Sequence, residues 1–272
     1  MPTSLTALLY GTAWKKETTA HCVEMAISQG FRGIDTACQP KHYNEAGVGM
    51  GLAKAYEKGL KREELFIQTK FTPLGGQDPK NIPYDPRESI EKQIATSCAL
   101  SQKNLQTTYL DSYVLHSPIF PYTELLRAYK AMETLHEKGD VLHLGISNCY
   151  DLALLSQIYR DTRIKPSFVQ NRFYADTGYD TELRAWCIQH HIAYQGCWTL
   201  TANPHILESH PMRLLAQKYA KTEAQLFYRF LTCKGITPLI GSTSPKHLEE
   251  DLAIFDFELH KDDIEKIDRL LM

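Results

Sequence analysis

Short apolar runs alternate with longer amphipathic segments along almost the whole chain. The short runs are rich in β-branched and aromatic residues, which is typical of strands, and the longer segments repeat their apolar positions with helical spacing. The predicted strands cover residues 7–10, 33–35, 65–70, 112–115, 142–145, 168–170, 193–195 and 238–240. The predicted helices begin near Thr18, Asn44, Asp85, Thr123, Tyr150, Thr181, Pro211 and Pro245, and a further helix covers residues 261–271.

This alternation determines the fold class. Strands and helices in strict alternation form a parallel sheet with right-handed crossovers, and eight such units favour closure. The sequence therefore predicts a single (β/α)8 TIM barrel over residues 1–272, with an extra C-terminal helix. An open Rossmann sheet is the alternative, but no G-x-G-x-x-G follows the first strand.

Two local patterns refine the prediction. Pro86 directly after Asp85 supports a helix start there, because proline is favoured at the first helical position behind an N-cap. The glycines of residues 47–51 ("GVGMG") lie inside a helical pattern. They indicate close helix packing rather than a phosphate-binding loop.

Composition narrows the class of protein. A hydrophobic fraction of 43% and a charged fraction of 23% are ordinary for a soluble globular chain. The net charge of -2 gives no electrostatic reason to expect binding to nucleic acid or to an anionic membrane. The N-terminus lacks the pattern of a signal peptide, and no run approaches the roughly 20 apolar residues of a membrane span. We therefore expect a cytoplasmic protein, and a monomer as the default for this fold.

The seven cysteines are scattered, form no C-x-x-C pair and mostly lie in apolar runs. An odd number of unpaired cysteines is typical of a reducing compartment and of small core residues. We expect neither a structural disulfide nor a metal site.

Polar side chains collect where the predicted strands end. In a barrel, the C-terminal ends of the strands form the mouth that carries the chemistry. The residues at or just after these ends are Asp35, Tyr43, Lys70, His116, Ser147, Asn148, Gln170 and Trp198. Each alone has an ordinary explanation, such as a turn cap or a core position. Together they indicate a site, because a buried lysine and a buried aspartate require each other.

The stretches that carry these residues resemble the aldo-keto reductases. They are "GFRGIDTA", "YNEAGVG", "LFIQTK", "LDSYVLHSP", "LGISN", "FVQN" and "LIGSTSPKHLEEDL", in the order of that family and over nearly the whole chain. The resemblance implies the (β/α)8 barrel and NADP(H)-linked reduction of aldehydes and ketones, or the reverse oxidation. It also implies a catalytic tetrad of Asp35, Tyr43, Lys70 and His116.

Within the tetrad, the resemblance makes Tyr43 the proton donor to the carbonyl oxygen. A free phenol has a pKa of about 10, and a neighbouring ammonium would lower it, so we expect Lys70 to lower the pKa of Tyr43. Asp35 would keep Lys70 charged, and His116 would position the substrate oxygen. His42 stands where the family's tyrosine aligns strictly, and Tyr43 is the only phenol in that loop.

The resemblance also assigns binding residues. It implies that the dinucleotide contacts Ser147, Asn148, Gln170, Trp198, Thr199, Ser242, Lys246, His247 and Asp251, and that the substrate contacts Trp14, His116 and Trp198. Gly241 and His247 replace a lysine and an arginine with which the family holds the 2′-phosphate. We therefore expect a preference for NADP(H) that is weaker than usual, with measurable use of NAD(H).

Two other functions remain open at this point. One is a regulatory or sensor subunit that binds the dinucleotide but turns over slowly. The other is a different barrel enzyme, such as an isomerase with phosphate sites at the last two strands. The segment after strand seven is short and the chain ends soon after the extra helix, so we expect an open mouth that accepts varied aldehydes.

Overall fold

The computed structural model describes residues 7–271, and its strands close into a parallel barrel in chain order. The strands are β1 (Leu9–Gly11), β2 (Gly33–Asp35), β3 (Phe66–Phe71), β4 (Leu110–Leu115), β5 (Val141–Ser147), β6 (Phe168–Arg172), β7 (Ala193–Cys197) and β8 (Ile236–Ile240). β8 pairs with β1, which completes the ring. The predicted barrel is confirmed, and the predicted strands differ from those observed by a few residues at their ends.

Helices follow the strands and surround the barrel. Within residues 7–271 they are α1 (Thr19–Gln29), α2 (Glu45–Glu57), α3 (Ile90–Leu105), α4 (Tyr122–Glu137), α5 (Leu152–Asp161), α6 (Thr181–Gln189), α7 (Pro204–Leu207), α8 (His210–Tyr219), α9 (Glu223–Cys233), α10 (Pro245–Leu252) and α11 (Lys261–Asp268). α11 confirms the extra C-terminal helix. None of these helices is long and apolar enough to cross a membrane.

The helix predicted to begin near Asp85 begins five residues later, so this prediction was wrong. The Asp85 carboxylate accepts a hydrogen bond from the backbone N–H of Arg87 and pairs with its guanidinium at 2.8 Å, which forms a turn. Such local bonds compete with a helix start. α3 instead begins at Ile90, where the Ser89 hydroxyl accepts from the N–H of Lys92.

The segment predicted as one helix from Pro211 is two helices. α8 ends at Tyr219, and the next residue, Ala220, adopts the left-handed region with φ 51°. α9 then starts behind Thr222, whose side chain forms a capping box with Gln225.

The predicted role of the glycines in α2 is confirmed. A Cβ on Gly49 would lie 2.0 Å from the backbone oxygen of Asn104, and one on Gly51 would lie 2.7 Å from that of Ala20. Helix α2 therefore approaches α3 and α1 so closely that a side chain does not fit at these positions.

The barrel interior changes from apolar to polar toward its mouth. Inward-facing residues of one strand are two positions apart, so they form layers. The lowest layer packs Leu9, Phe66 and Phe168 with Ala193 and Leu239. The next inward positions are Asp35, Gln68, Gln170 and Gln195, and above them come Lys70, Arg172 and Cys197. The larger apolar core lies between the barrel and the helices.

Candidate active site

An ion pair between Asp35 and Lys70 forms the buried base of the mouth. The Lys70 Nζ lies 2.6 and 2.7 Å from the two carboxylate oxygens of Asp35 and donates to the backbone oxygen of Thr36 at 2.8 Å. Both side chains are at most 1% exposed. The two residues meet because β2 and β3 are neighbours in the barrel. All three ammonium protons therefore have acceptors, as a buried charge requires.

Three buried glutamines support Asp35. The Nε2 groups of Gln68 and Gln170 donate to its Oδ1 at 2.7 and 3.0 Å, and both also donate to the Oε1 of Gln195. Gln195 in turn donates to Gln68 at 3.1 Å. Only Gln170 was predicted as a site residue, and here its amide nitrogen bonds within this cluster. The sequence signal for the others was a polar residue on the inward face of an otherwise apolar strand.

Tyr43 reaches the same place from the loop before α2. Its ring centroid lies 5.4 Å from the Lys70 Nζ and 6.0 Å from the ring centroid of His116. No hydrogen bond joins its hydroxyl to another residue within the described range 7–271. The His42 ring instead lies 3.9 Å from that of Trp14. The loop therefore brings the phenol, and not His42, to the lysine.

The start of α2 holds this loop in place. The Asn44 side chain caps the helix by accepting from the N–H of Gly47. The buried Glu45 carboxylate accepts from the hydroxyls of Thr69 and Ser101 at 2.5 and 2.9 Å. Because Thr69 precedes Lys70, this bond links the tyrosine loop to the strand that carries the lysine.

The expected direction of the Tyr43 pKa shift was wrong. Burial and then the negative charge of Asp35 raise the pKa of Tyr43 above its ordinary value near 10. Lys70 does not reverse this shift, because Asp35 already balances its charge at contact distance. Tyr43 therefore carries its proton at neutral pH, which is the form that a proton donor needs.

His116 lies at the mouth as a neutral imidazole. Burial, and then the charge of Lys70, lower the pKa of His116 to about 3. Its Nδ1 lies 2.6 Å from the Thr72 hydroxyl, and its backbone oxygen accepts from the Asn148 Nδ2 at 2.8 Å. The Thr72 hydroxyl can donate to Nδ1, which leaves the ring proton on Nε2 as a donor.

The residues predicted for the nicotinamide lie along the ends of β5 and β7. Ser147 is the last residue of β5, and Asn148 follows with φ 53° and donates to the Ser147 hydroxyl at 3.3 Å. Trp198 follows β7 with φ 58° and is 51% exposed. Thr199 is buried, and its hydroxyl has no partner within residues 7–271. The half-exposed Trp198 ring is available to a ligand, whereas the Thr199 hydroxyl is buried beneath the surface.

The residues predicted for the phosphate end lie at the start of α10. The backbone N–H of Ser244 donates to the Ser242 hydroxyl at 3.1 Å, and the Ser244 hydroxyl accepts from the N–H of His247. His247 and Lys246 have exposed side chains, and the Lys246 Nζ lies 3.6 Å from Glu250. Asp251 is buried in α10, where burial and then Glu250 raise its pKa to about 7.

Trp14 packs against the tyrosine loop, where its backbone N–H donates to the backbone oxygen of His42 at 2.7 Å. It is 61% exposed and adopts φ 65°. It lines a cleft of about 340 Å³ with Lys16, Glu17, Pro40, Lys41, His42, Tyr43 and Asn44. The described residues contain no cluster of three or more metal-binding side chains.

Comparison with known proteins assigns the family. Residues 6–209 and 204–272 match the sequence pattern of the Aldo/keto reductase family. The chain belongs to this family. It is 31% identical to the methylglyoxal reductase DkgA of Salmonella typhimurium, over 94% of this chain and 86% of that protein. It is 30% identical to the NAD(P)H-dependent D-xylose reductase I,II of Candida tropicalis, over 94% of this chain and 86% of that protein.

The fold of a solved relative agrees. The aldo/keto reductase from Brucella melitensis superposes with a TM-score of 0.81 at 27% identity, over 97% of this chain and 94% of that one. The chain is therefore an oxidoreductase of the carbonyl-reducing class. The family assignment excludes the isomerase alternative, and the reductase names of the relatives give no support to the sensor alternative.

This aldo/keto reductase also has a buried cation that the sequence interpretation missed. Lys15, in the loop after β1, is only 6% exposed, and its ammonium donates to the backbone oxygen of Gly241 at 2.8 Å. No carboxylate of residues 7–271 lies within 4.0 Å of it. Burial lowers the pKa of Lys15. The ammonium of Lys15 therefore lies beside the loop that precedes α10 without a counter-ion among residues 7–271, and it can bind an anion there.

Proposed function

We propose that this aldo/keto reductase reduces small aldehydes and ketones with NADP(H), using Asp35, Tyr43, Lys70 and His116. The observation that carries the proposal is the free Tyr43 hydroxyl at the barrel mouth, beside a buried Lys70–Asp35 pair and a neutral His116. The bound dinucleotide would supply a hydride to the carbonyl carbon. Side chains of the protein then donate a proton to the carbonyl oxygen and stabilise the negative charge that develops on it.

Tyr43 donates its proton to the carbonyl oxygen as the charge develops there. Its raised pKa keeps the proton on the phenol until the oxygen becomes a strong base. The phenolate that results faces the ammonium of Lys70, whose centre lies 5.4 Å from the ring. Asp35 holds that ammonium in position with two short hydrogen bonds.

His116 positions the substrate. With Thr72 bound to Nδ1, the Nε2–H is free to donate to the carbonyl oxygen. A neutral donor polarises the carbonyl without adding a charge that competes with Lys70. Its pKa of about 3 keeps the ring neutral at neutral pH.

The chain's own groups fit a dinucleotide. Trp198 offers a half-exposed ring on which the nicotinamide can stack, and the buried Thr199 hydroxyl has no partner within residues 7–271. Lys15 offers a cation next to Gly241, where the family's lysine is missing from the sequence. The exposed Lys246 and His247 add weaker attraction at the start of α10. We therefore propose NADPH as the preferred cofactor, with measurable use of NADH.

The direct test measures the loss of NADPH absorbance with methylglyoxal and with 4-nitrobenzaldehyde. The wild type should turn over both, and Tyr43→Phe should lower kcat about 10²–10⁴-fold because it removes the proton donor. Quenching of NADPH fluorescence should give the same Kd for both proteins. Near-normal turnover by Tyr43→Phe would refute the assignment of Tyr43, and His42→Phe would then be the next variant to test.

A further inference from the structure

Arg172 extends into the barrel mouth as the last residue of β6. Phe168 of the same strand packs in the lowest interior layer, and Gln170 bonds to Asp35 in the layer above. Because inward residues alternate along a strand, Arg172 is the third member of this inward row. It is solvent-exposed, and its guanidinium carbon lies 4.2 Å from the ring of Trp198.

The guanidinium has no counter-ion. No carboxylate of residues 7–271 lies within 4.0 Å of it, and none of their acceptors takes a hydrogen bond from it. Other arginines of this chain, Arg62, Arg87, Arg127 and Arg163, each pair with a carboxylate. Stacking on Trp198 covers one face of the guanidinium and leaves its N–H edges open. The fork is therefore held in place and available.

Cys197 connects Arg172 to the tetrad. The two residues are direct neighbours across β6 and β7. Two residues before Cys197, Gln195 accepts from Gln68 and Gln170, which both also donate to Asp35. Cys197 and Arg172 are therefore the next inward positions above the cluster that holds Asp35.

The backbone of Arg172 is tied to the predicted nicotinamide residues. Its N–H donates to the Tyr150 hydroxyl at 3.3 Å, and that hydroxyl donates to the Asn148 Oδ1 at 3.3 Å. The cleft next to Tyr43 adds two cations, Lys16 and Lys41, against one acid, Glu17. Arg172 and the two lysines of this cleft are thus local positive groups in a chain whose net charge is -2.

We propose that Arg172 binds a carboxylate of the substrate, so that this reductase prefers aldehydes or ketones that carry a carboxylate over neutral ones. The planar fork of arginine matches a carboxylate in a bidentate geometry, and Trp198 fixes its plane. This inference rests on the proposed function, because it names the substrate class of the same site. Arg172 acts as a specificity residue and takes no part in proton transfer.

The test compares 3- and 4-carboxybenzaldehyde with the carboxamide of the same shape. The wild type should show a higher kcat/KM for at least one acid than for its amide. Arg172→Met should lower kcat/KM for that acid about 10–100-fold, mainly through KM, and change the amide less than about threefold. Arg163→Met is the matched control, since Arg163 is exposed, pairs with Glu137 and precedes β6 at the opposite end of the barrel. It should leave both substrates unchanged.

Each other outcome overturns a distinct claim. Equal kcat/KM for every acid and its amide in the wild type would refute the preference for a carboxylate but leave the proposed reductase function intact. An equal loss for acid and amide in Arg172→Met, with an increased Kd for NADPH, would show that Arg172 serves the cofactor instead. Absence of turnover with all four aldehydes and with methylglyoxal would refute the proposed function itself, and the inference with it.

Discussion

Replacing Lys70 by methionine removes the positive half of the buried ion pair while keeping a side chain of similar length. Asp35 would lose two hydrogen bonds, of 2.6 and 2.7 Å, in a position that is 1% exposed. Stranding one partner of a buried pair costs about 3–5 kcal/mol. Because Gln68 and Gln170 still donate to Asp35, we expect the lower end, about 3 kcal/mol, in the free energy of unfolding.

Urea denaturation at pH 8 and pH 5 measures this loss. The loss in free energy of unfolding of Lys70→Met, relative to the wild type, should be smaller at pH 5 than at pH 8. At the lower pH the stranded Asp35 carboxyl of the native state binds a proton more readily than the same carboxyl in the unfolded state, and this stabilises the native state. The control is the double variant Lys70→Met/Asp35→Asn, which removes both charges and should recover to within about 1 kcal/mol of the wild type. A single variant as stable as the wild type at pH 8, or a double variant less stable than the single, would refute the reasoning.

Three further predictions follow from the site and the packing. With NADPH at a saturating concentration, the kcat/KM for aldehyde reduction should stay flat between pH 6 and 9, because the pKa of His116 is lowered to about 3 and that of Tyr43 is raised, so neither group titrates there; a fall near neutral pH would contradict these directions. Lys15→Met should raise the Kd of NADPH, measured by fluorescence, about 10-fold or more, and an unchanged Kd would mean that the ammonium does not meet a phosphate. Gly49→Ala should cost about 1–3 kcal/mol of unfolding free energy, whereas Gly75→Ala, with open space around it, should cost almost nothing; equal losses would contradict the close packing of α2.

The barrel could be predicted from the sequence because its signal is repeated. Each of the eight strands is a short apolar run followed by a helical pattern, so an error at one boundary does not change the topology. The same repetition places the residues at the strand ends in one mouth. Asp35 and Lys70 are 35 residues apart in the chain, yet the rule of neighbouring strand ends brings them together.

Local side-chain and backbone conformations explain why two of the predicted helix boundaries were wrong. The Asp-Pro pair at residues 85–86 is typical of a helix start, but the Asp85 side chain bonds to Arg87 and forms a turn instead. The separation of α8 from α9 depends on one residue, Ala220, in the left-handed region with φ 51°. Alanine gives no sign of this conformation in the sequence, so the break could not be predicted.

The protonation and charge of the site residues could not be predicted from the sequence alone. The sequence predicted that Lys70 approaches Tyr43, but the sign of the pKa shift depends on how closely Asp35 neutralises the lysine and how well the phenol is buried. The anion-binding character of Lys15 also depends on burial and on the absence of a nearby acid among the described residues. Neither can be read from spacing along the chain.

The central claim, that this chain transfers a hydride from NADPH to a carbonyl carbon, is tested most directly by isotope tracing. The wild type would be incubated with methylglyoxal and NADPH that carries deuterium at one or the other of the two C4 positions, and the product analysed by mass spectrometry and NMR. We predict that one of the two labelled forms yields an alcohol with a single deuterium on the former carbonyl carbon, and that Tyr43→Phe yields almost no product. NADPH binding without deuterium in any product would contradict the account and favour a dinucleotide sensor.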